Sequence, residues 1–141
     1  MTNITLKDVK ERFVTNKTRE EIFRGYISYM QVLFSKIPTC KQYIDGSFTT
    51  TKKDPNDIDI CTFLDIEFIL SNNEFLEPLK SKNARIKYKV DGYFCPISDK
   101  NSPYFEKCKE RYEYWSYWFS HDREGKYKEL FVSDIVKEDV C

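Results

Sequence analysis

Three acidic residues stand at spacings that suit a divalent cation. Asp57 and Asp59 flank Ile58 in the run Asp57-Ile58-Asp59-Ile60. In a strand, residues two apart share a face, so both carboxylates lie on one side, with Ile58 and Ile60 on the other. They sit about 7 Å apart along the strand. Their oxygens can converge on a hard cation, whose charge removes their mutual repulsion. Asp91 lies in a later alternating run. If that strand lies beside the one carrying Asp57 and Asp59, all three carboxylates share one metal site. Upstream, Gly46-Ser47 supplies complementary chemistry. Glycine lets the backbone approach a ligand closely, and turn amides with the Ser47 hydroxyl can hold phosphate oxygens. Phosphate donors plus carboxylates for one or two cations are the parts that phosphoryl transfer needs.

The elements that must position these residues are legible in outline. Thr5 to Phe13 suits a short helix. Thr18-Arg19-Glu20-Glu21 reads as a capping box. After it, Ile22, Phe23, Tyr26, Ile27, Met30, Leu33 and Phe34 form an apolar helical stripe, which Pro38 ends. Gln42 to Phe48 reads as a strand running into the Gly-Ser turn. Thr49 to Asn56 reads as a loop, and Asp57 to Leu64 as a second strand. The loop is too short for a crossover helix, so these two strands pair antiparallel. Asp65 to Lys80 leans helical, with a break at Asn72-Asn73.

Ala84 to Ile97 reads as a third strand. Ile86, Tyr88, Val90, Gly92 and Phe94 point one way; Lys87, Lys89, Asp91, Tyr93 and Cys95 point the other, on a polar face. Ser102-Pro103 opens an aromatic helix running to Phe119. Ser120 to Lys128 is a polar turn, and Leu130 to Val136 a last strand. The α-α-β-β-α-β-α-β order predicts an α/β (α+β) fold, a mixed sheet flanked by helices, with residues 1–141 as a single domain.

Gly-Ser, nine intervening residues, Asp-x-Asp on a strand and a later strand Asp resemble the DNA-polymerase-β-type nucleotidyltransferase superfamily. Here these are Gly46-Ser47, Asp57-Ile58-Asp59 and Asp91. A closer similarity is to a small stand-alone nucleotidyltransferase-like family of bacteria and phages. Ile44 to Phe48, Lys53 to Asp59, and Tyr114-Trp115 through Phe119 to Gly125 with Lys128 carry it. Glu129 stands where that pattern often has Gly. The resemblance implies the polymerase-β-like fold, with Asp57, Asp59 and Asp91 binding two Mg²⁺ (or Mn²⁺) ions. Gly46 and Ser47 would hold the triphosphate. The implied reaction moves a nucleoside monophosphate from a nucleoside triphosphate to a hydroxyl of a protein, an RNA end or a small molecule. A toxin–antitoxin or phage-defence setting goes with it. The alternative is a catalytically silent module that binds a nucleotide or a partner.

Other residues carry two readings each. Lys52 and Lys53 could meet nucleotide phosphates or simply be solvated, and Lys53 is kept as a nucleotide ligand. Arg123 suits a bidentate contact to a triphosphate, or a surface salt bridge; the resemblance favours the former. Lys128 is evenly balanced. Asp45 either orients the Gly-Ser loop or forms its turn. His121, the single histidine, reads as a loop residue. Tyr114 and Tyr117 fall off the core face of the aromatic helix and could line a nucleobase pocket or a protein interface.

Composition sets the frame. The chain has 141 residues, 23 Lys+Arg, 23 Asp+Glu and a formal net charge of zero, which excludes a global basic field for nucleic acid. Phe, Tyr and Trp make up 16% of it, too many for a disordered chain. Cys40, Cys61, Cys95, Cys108 and Cys141 show no C-x-x-C spacing, against a zinc site or a disulfide scaffold. These features point to a reducing, cytoplasmic location, and no apolar run approaches a membrane span.

Overall fold

The structure, a computed structural model, describes residues 1–141. Strands β1 (Thr2–Asn3), β2 (Thr39–Asp45), β3 (Ile58–Asp65), β4 (Val90–Ile97) and β5 (Phe131–Val136) form one sheet in the order β1-β5-β2-β3-β4. β2 is antiparallel to both β3 and β5, while β3 and β4 run parallel, as do β1 and β5. The helices are α1 (Leu6–Phe13), α2 (Lys17–Leu33), α3 (Ile66–Ser71), α4 (Asn73–Leu76), α5 (Ser81–Tyr88) and α6 (Phe105–Ser120). The mixed sheet flanked by helices and the antiparallel β2–β3 pair match the expectation. No helix is long and apolar enough to cross a membrane.

Each sheet face has its own core. On one, Ile22, Tyr26, Tyr29, Met30 and Leu33 of α2 pack on Ile44, Ile58, Ile60 and Val90. On the other, Trp115 and Phe119 of α6 cover Tyr43, Cys61, Phe63 and Cys95. Strand alternation therefore puts Asp45, Asp59 and Asp91 on the α6 face, because each neighbours a residue of the α2 core.

Several local expectations change. Asn16, not Thr18, caps α2; its side-chain oxygen accepts from Arg19 N at 2.9 Å, so Thr18 and Glu21 lie within the helix. The reciprocal box forms one helix earlier, between Thr5 and Asp8. α6 starts at Phe105, after a turn, rather than at Pro103. The largest correction concerns Ala84–Ile97. Residues 81–88 are helical, and Ala84 and Tyr88 bury against α2 while Ile86 is 75% exposed. Lys89 closes the helix in the left-handed conformation (φ 59°), and β4 starts only at Val90. Lys87 and Lys89 thus leave the Asp91 face, and Lys89 pairs with Glu21 at 3.8 Å instead. That face is also a core rather than polar, since Tyr93 and Cys95 pack beneath α6. A short helix and a strand can share an alternating sequence, and here burial against α2 decided between them.

The approach of α2 to α5 fixes where β4 begins. A Cβ on Gly25 would stand 2.1 Å from the Tyr88 carbonyl oxygen, so only glycine permits the contact. Gly25→Ala must push the end of α5 off α2, one residue before the turn into β4. Thermal unfolding should show its midpoint lowered by at least about 3 °C, the effect of an overpacking cost above about 1 kcal/mol. An unchanged midpoint would mean that the helices are not held at this distance.

Candidate active site

Register builds the site. Asp59 lies opposite Asp45 on β2 and opposite Asp91 on β4. Residues directly opposite across a sheet point to the same face, so three aspartates form a transverse row over three adjacent strands. Asp57 precedes β3 by one residue, and its charge acts on the Asp59 carboxyl. The parallel pairing of β3 with β4 brings in Asp91, as the sequence reading required.

The two outer members of the row are compensated and the central one is not. Lys128 forms an ion pair with Asp45 Oδ2. Asp91 Oδ2 accepts from the Tyr93 hydroxyl at 2.8 Å and faces Arg85 Nη1 at 3.4 Å. Asp91 Oδ1 is buried with no hydrogen-bond partner. Asp59 has no cation. Burial, then the charges of Asp57, Asp91 and Asp45, push its carboxyl up to about 8. Burial also raises Asp45, against the pull of Lys128.

The all-oxygen donor set has the chemistry of a hard-cation site. The orphaned Asp91 Oδ1 and the uncompensated Asp59 are the features that a divalent ion would satisfy. The side chains do not converge into a closed shell, and no group of three or more His, Cys, Asp or Glu residues has the spacing of a ligand set.

The Gly46-Ser47 turn lies directly on Asp59. Gly46 has φ +86°, and a Cβ there would stand 2.8 Å from Asp59 Cγ, so glycine is required both by conformation and by contact. Ser47–Thr49 then makes one 3₁₀ turn. Within it the Ser47 and Phe48 amides and the Ser47 hydroxyl make no hydrogen bond. These donors stand beside the carboxylate row.

Arg19 holds this loop in place, and the sequence reading missed it. Only 2% exposed, its guanidinium donates to the carbonyl oxygens of Phe13 (3.0 Å), Ser47 (3.4 Å), Phe48, Thr50 (2.8 Å) and Lys52. The available signal was its position: residue 19 continues the apolar stripe of Ile22, Tyr26 and Tyr29, where a charge needs a reason. Tyr93 and Arg85 were also missed, because the single long strand concealed the surroundings of Asp91.

Other expected residues lie apart from the row. The Lys53 side chain is exposed and forms no ion pair; only its carbonyl is engaged, by Asn16 Nδ2 at 2.7 Å. Arg123 is exposed in the turn after α6, with no ion pair to the carboxylates. From the same turn Lys128, evenly balanced in sequence, is the residue that reaches Asp45. His121 stacks on Tyr117 with ring centroids 3.9 Å apart, and Nδ1 sits 2.9 Å from the Tyr117 carbonyl, a structural role. Tyr114 and Tyr117 are exposed.

The raised Asp59 carboxyl has a measurable consequence. A carboxyl that binds its proton more tightly when folded contributes stability that is full below pH about 4 and is lost as pH rises through about 8. In EDTA, Asp59→Asn should therefore unfold at a higher temperature than the parent at pH about 9, by roughly 5 °C or more. The gap should close below pH about 4, where the parent carboxyl is protonated in both states. Parallel curves across that range would show that Asp59 is not strained by its neighbours.

No curated protein and no solved structure matches the chain. Residues 2–133 match DUF6932, a family of unknown function. That span contains the aspartate row, the Gly-Ser turn, Arg19, Arg85, Tyr93 and Lys128, and the chain belongs to this family.

Proposed function

We propose that the protein is a metal-dependent nucleotidyltransferase with a polymerase-β-like fold, moving a nucleoside monophosphate from a nucleoside triphosphate to a hydroxyl acceptor. The observation that carries this reading is the placement of Asp59. It is the one carboxyl of the row without a cation partner, Asp57 and Asp91 act on it from either side, and the Gly46-Ser47 turn lies against it.

In this reading Asp57, Asp59 and Asp91 hold divalent ions, Mg²⁺ or Mn²⁺. Bound there, such ions neutralise charge on the phosphoryl oxygens and favour the ionised acceptor hydroxyl. The Ser47 hydroxyl and the Ser47 and Phe48 amides hold the β- and γ-phosphates. The acceptor oxygen attacks the α-phosphorus, the bond from that phosphorus to the bridging oxygen breaks, and pyrophosphate leaves with the electron pair. The hydroxyl proton passes to solvent or to the free Asp91 Oδ1. Tyr93 and Arg85 keep Asp91 directed at the site. Lys128 neutralises Asp45, leaving the cation charge to act on the other carboxylates. Acceptors of the expected kinds are a protein side chain, an RNA end or a small molecule.

One observation favours a second reading, a silent nucleotide- or partner-binding module. Asp91 already has Arg85 and Tyr93 as partners, and the carboxylates form no closed shell. Incubation with labelled ATP, GTP, CTP or UTP, divalent metal and a cell extract separates the two. The transferase predicts label transfer that needs Mg²⁺ or Mn²⁺ and falls by about a hundredfold or more in Asp57→Ala and Asp59→Ala. Metal-dependent nucleotide binding without transfer identifies the silent module. No such binding at millimolar nucleotide removes both readings.

A further inference from the structure

A polar cleft lies beside the loop that Arg19 holds. It is bounded by the corner between α1 and α2 and by loop 49–53, and encloses about 490 Å³. Arg12, Arg19, Lys52 and Lys53 line it, with no carboxylate in its wall and Phe13 as its one apolar residue. None of Gly46, Ser47, Asp57, Asp59 or Asp91 contributes to it.

We propose that this cleft binds phosphate groups, independently of the carboxylate row. The first reason is the charge of Arg19. Its donors are satisfied by five carbonyl oxygens, yet it forms no ion pair, and the exposed Asp54 carboxylate acts on this buried charge only from a distance. Carbonyl dipoles solvate a guanidinium, but they do not cancel its charge.

The cations around it are also available. Lys52 and Lys53 are exposed and form no ion pair. Arg12 lies over the Phe13 and Phe131 rings, and its one ion pair, 3.9 Å to Glu129 with both side chains about half exposed, holds its charge weakly. Asp54 is the nearest acid along the chain, but it is exposed and lies outside the cleft wall. Neutral donors complete the set, since the Thr15 and Thr51 hydroxyls line the cleft and make no hydrogen bond. The start of the 17-residue helix α2, capped by Asn16 in the same wall, adds its partial positive charge.

Several cations with hydroxyl donors and little apolar surface suit a multiply charged tetrahedral oxyanion better than a singly charged carboxylate or an apolar ligand. Such phosphates can belong to a free pyrophosphate or to the backbone of a single-stranded oligonucleotide; the recognised chemistry is the same. Because Arg19 bridges this cleft to the Gly-Ser turn, an occupant would lie one loop's thickness from the proposed transfer site. Its binding does not depend on the transfer reaction.

The test is calorimetric titration of the full chain, in low salt and EDTA, with inorganic pyrophosphate and separately with a ten-nucleotide single-stranded oligonucleotide. EDTA removes metal-dependent binding at the carboxylates, so this result is separable from that of the transferase assay. Saturable binding should weaken as salt rises, and by about tenfold or more in a Lys52→Glu, Lys53→Glu variant. Both side chains are exposed, so the variant should melt where the parent does. Binding of both probes assigns a free-phosphate site; binding of the oligonucleotide alone assigns a backbone site. No saturable binding of either probe at millimolar concentration, or equal binding by parent and variant, overturns the proposal.

Discussion

Mutual repulsion along one transverse line of the sheet organises this molecule. Asp45, Asp59 and Asp91 stand on adjacent strands at the same register, where directly opposed residues are about 4.5–5.5 Å apart. Like charges at that spacing, partly buried, destabilise the sheet that carries them. Two of the three are answered by side chains from other elements: Lys128, from the turn after α6, and Arg85, from α5. The central carboxylate is answered by none, and its affinity for a proton rises accordingly. A core built only for stability would place an apolar residue there. The retained charge, beneath a turn that only glycine can form, is the physical basis of the functional reading.

Around this row the structure divides its tasks. α2 packs the far face of the sheet through an unbroken apolar stripe, and the first turn of the same helix carries Arg19 into the base of the Gly-Ser loop. One helix thus fixes both the sheet and the loop. Glycine at position 25 lets α5 close on α2, so the chain turns at Lys89 into β4 with Asp91 already opposite Asp59. α6 covers Tyr43, Cys61 and Cys95; at the aspartate end of the same face Asp45 and Asp91 are buried, while Asp57 and Asp59 are partly exposed. Tyr93 joins these parts: its ring packs against Trp115 and Trp118, and its hydroxyl bonds Asp91. Asp45, Asp59, Asp91 and Arg85 therefore stand on strands and a helix, and Arg19 ties down the Gly-Ser turn beside them.

Charge balance takes on a different meaning in this setting. The chain is neutral overall, but its charges are sorted by position. Acids gather at one end of the sheet, and Arg12, Arg19, Lys52 and Lys53 line a separate cleft to which none of those acids contributes. Net charge describes long-range steering; it does not describe a cleft a few ångströms wide, where screening by water is partial.

The sequence by itself determined the parts whose pattern is local. Alternation placed Asp57 and Asp59 on one face, and a loop too short for a crossover made their strand antiparallel to the one before. Glycine with serine marked the turn, and the 22–33 stripe marked a buried helix. The tertiary structure decided everything that depends on partners distant in sequence. Residues 84–88 alternate like a strand, yet they fold as a helix because Ala84 and Tyr88 bury against α2. Lys53 was expected as a ligand from its loop and Arg123 from the resemblance, whereas Lys128 and Arg85 are the cations that reach the carboxylates. Asp45 joined the row only through the register of β2 with β3. Arg19 showed its role only when five carbonyl oxygens, 6 to 33 residues away, were brought around it. Periodicity is a property of neighbours along the chain, while compensation of a buried charge is a property of neighbours in space, and no single sequence encodes the second by spacing alone.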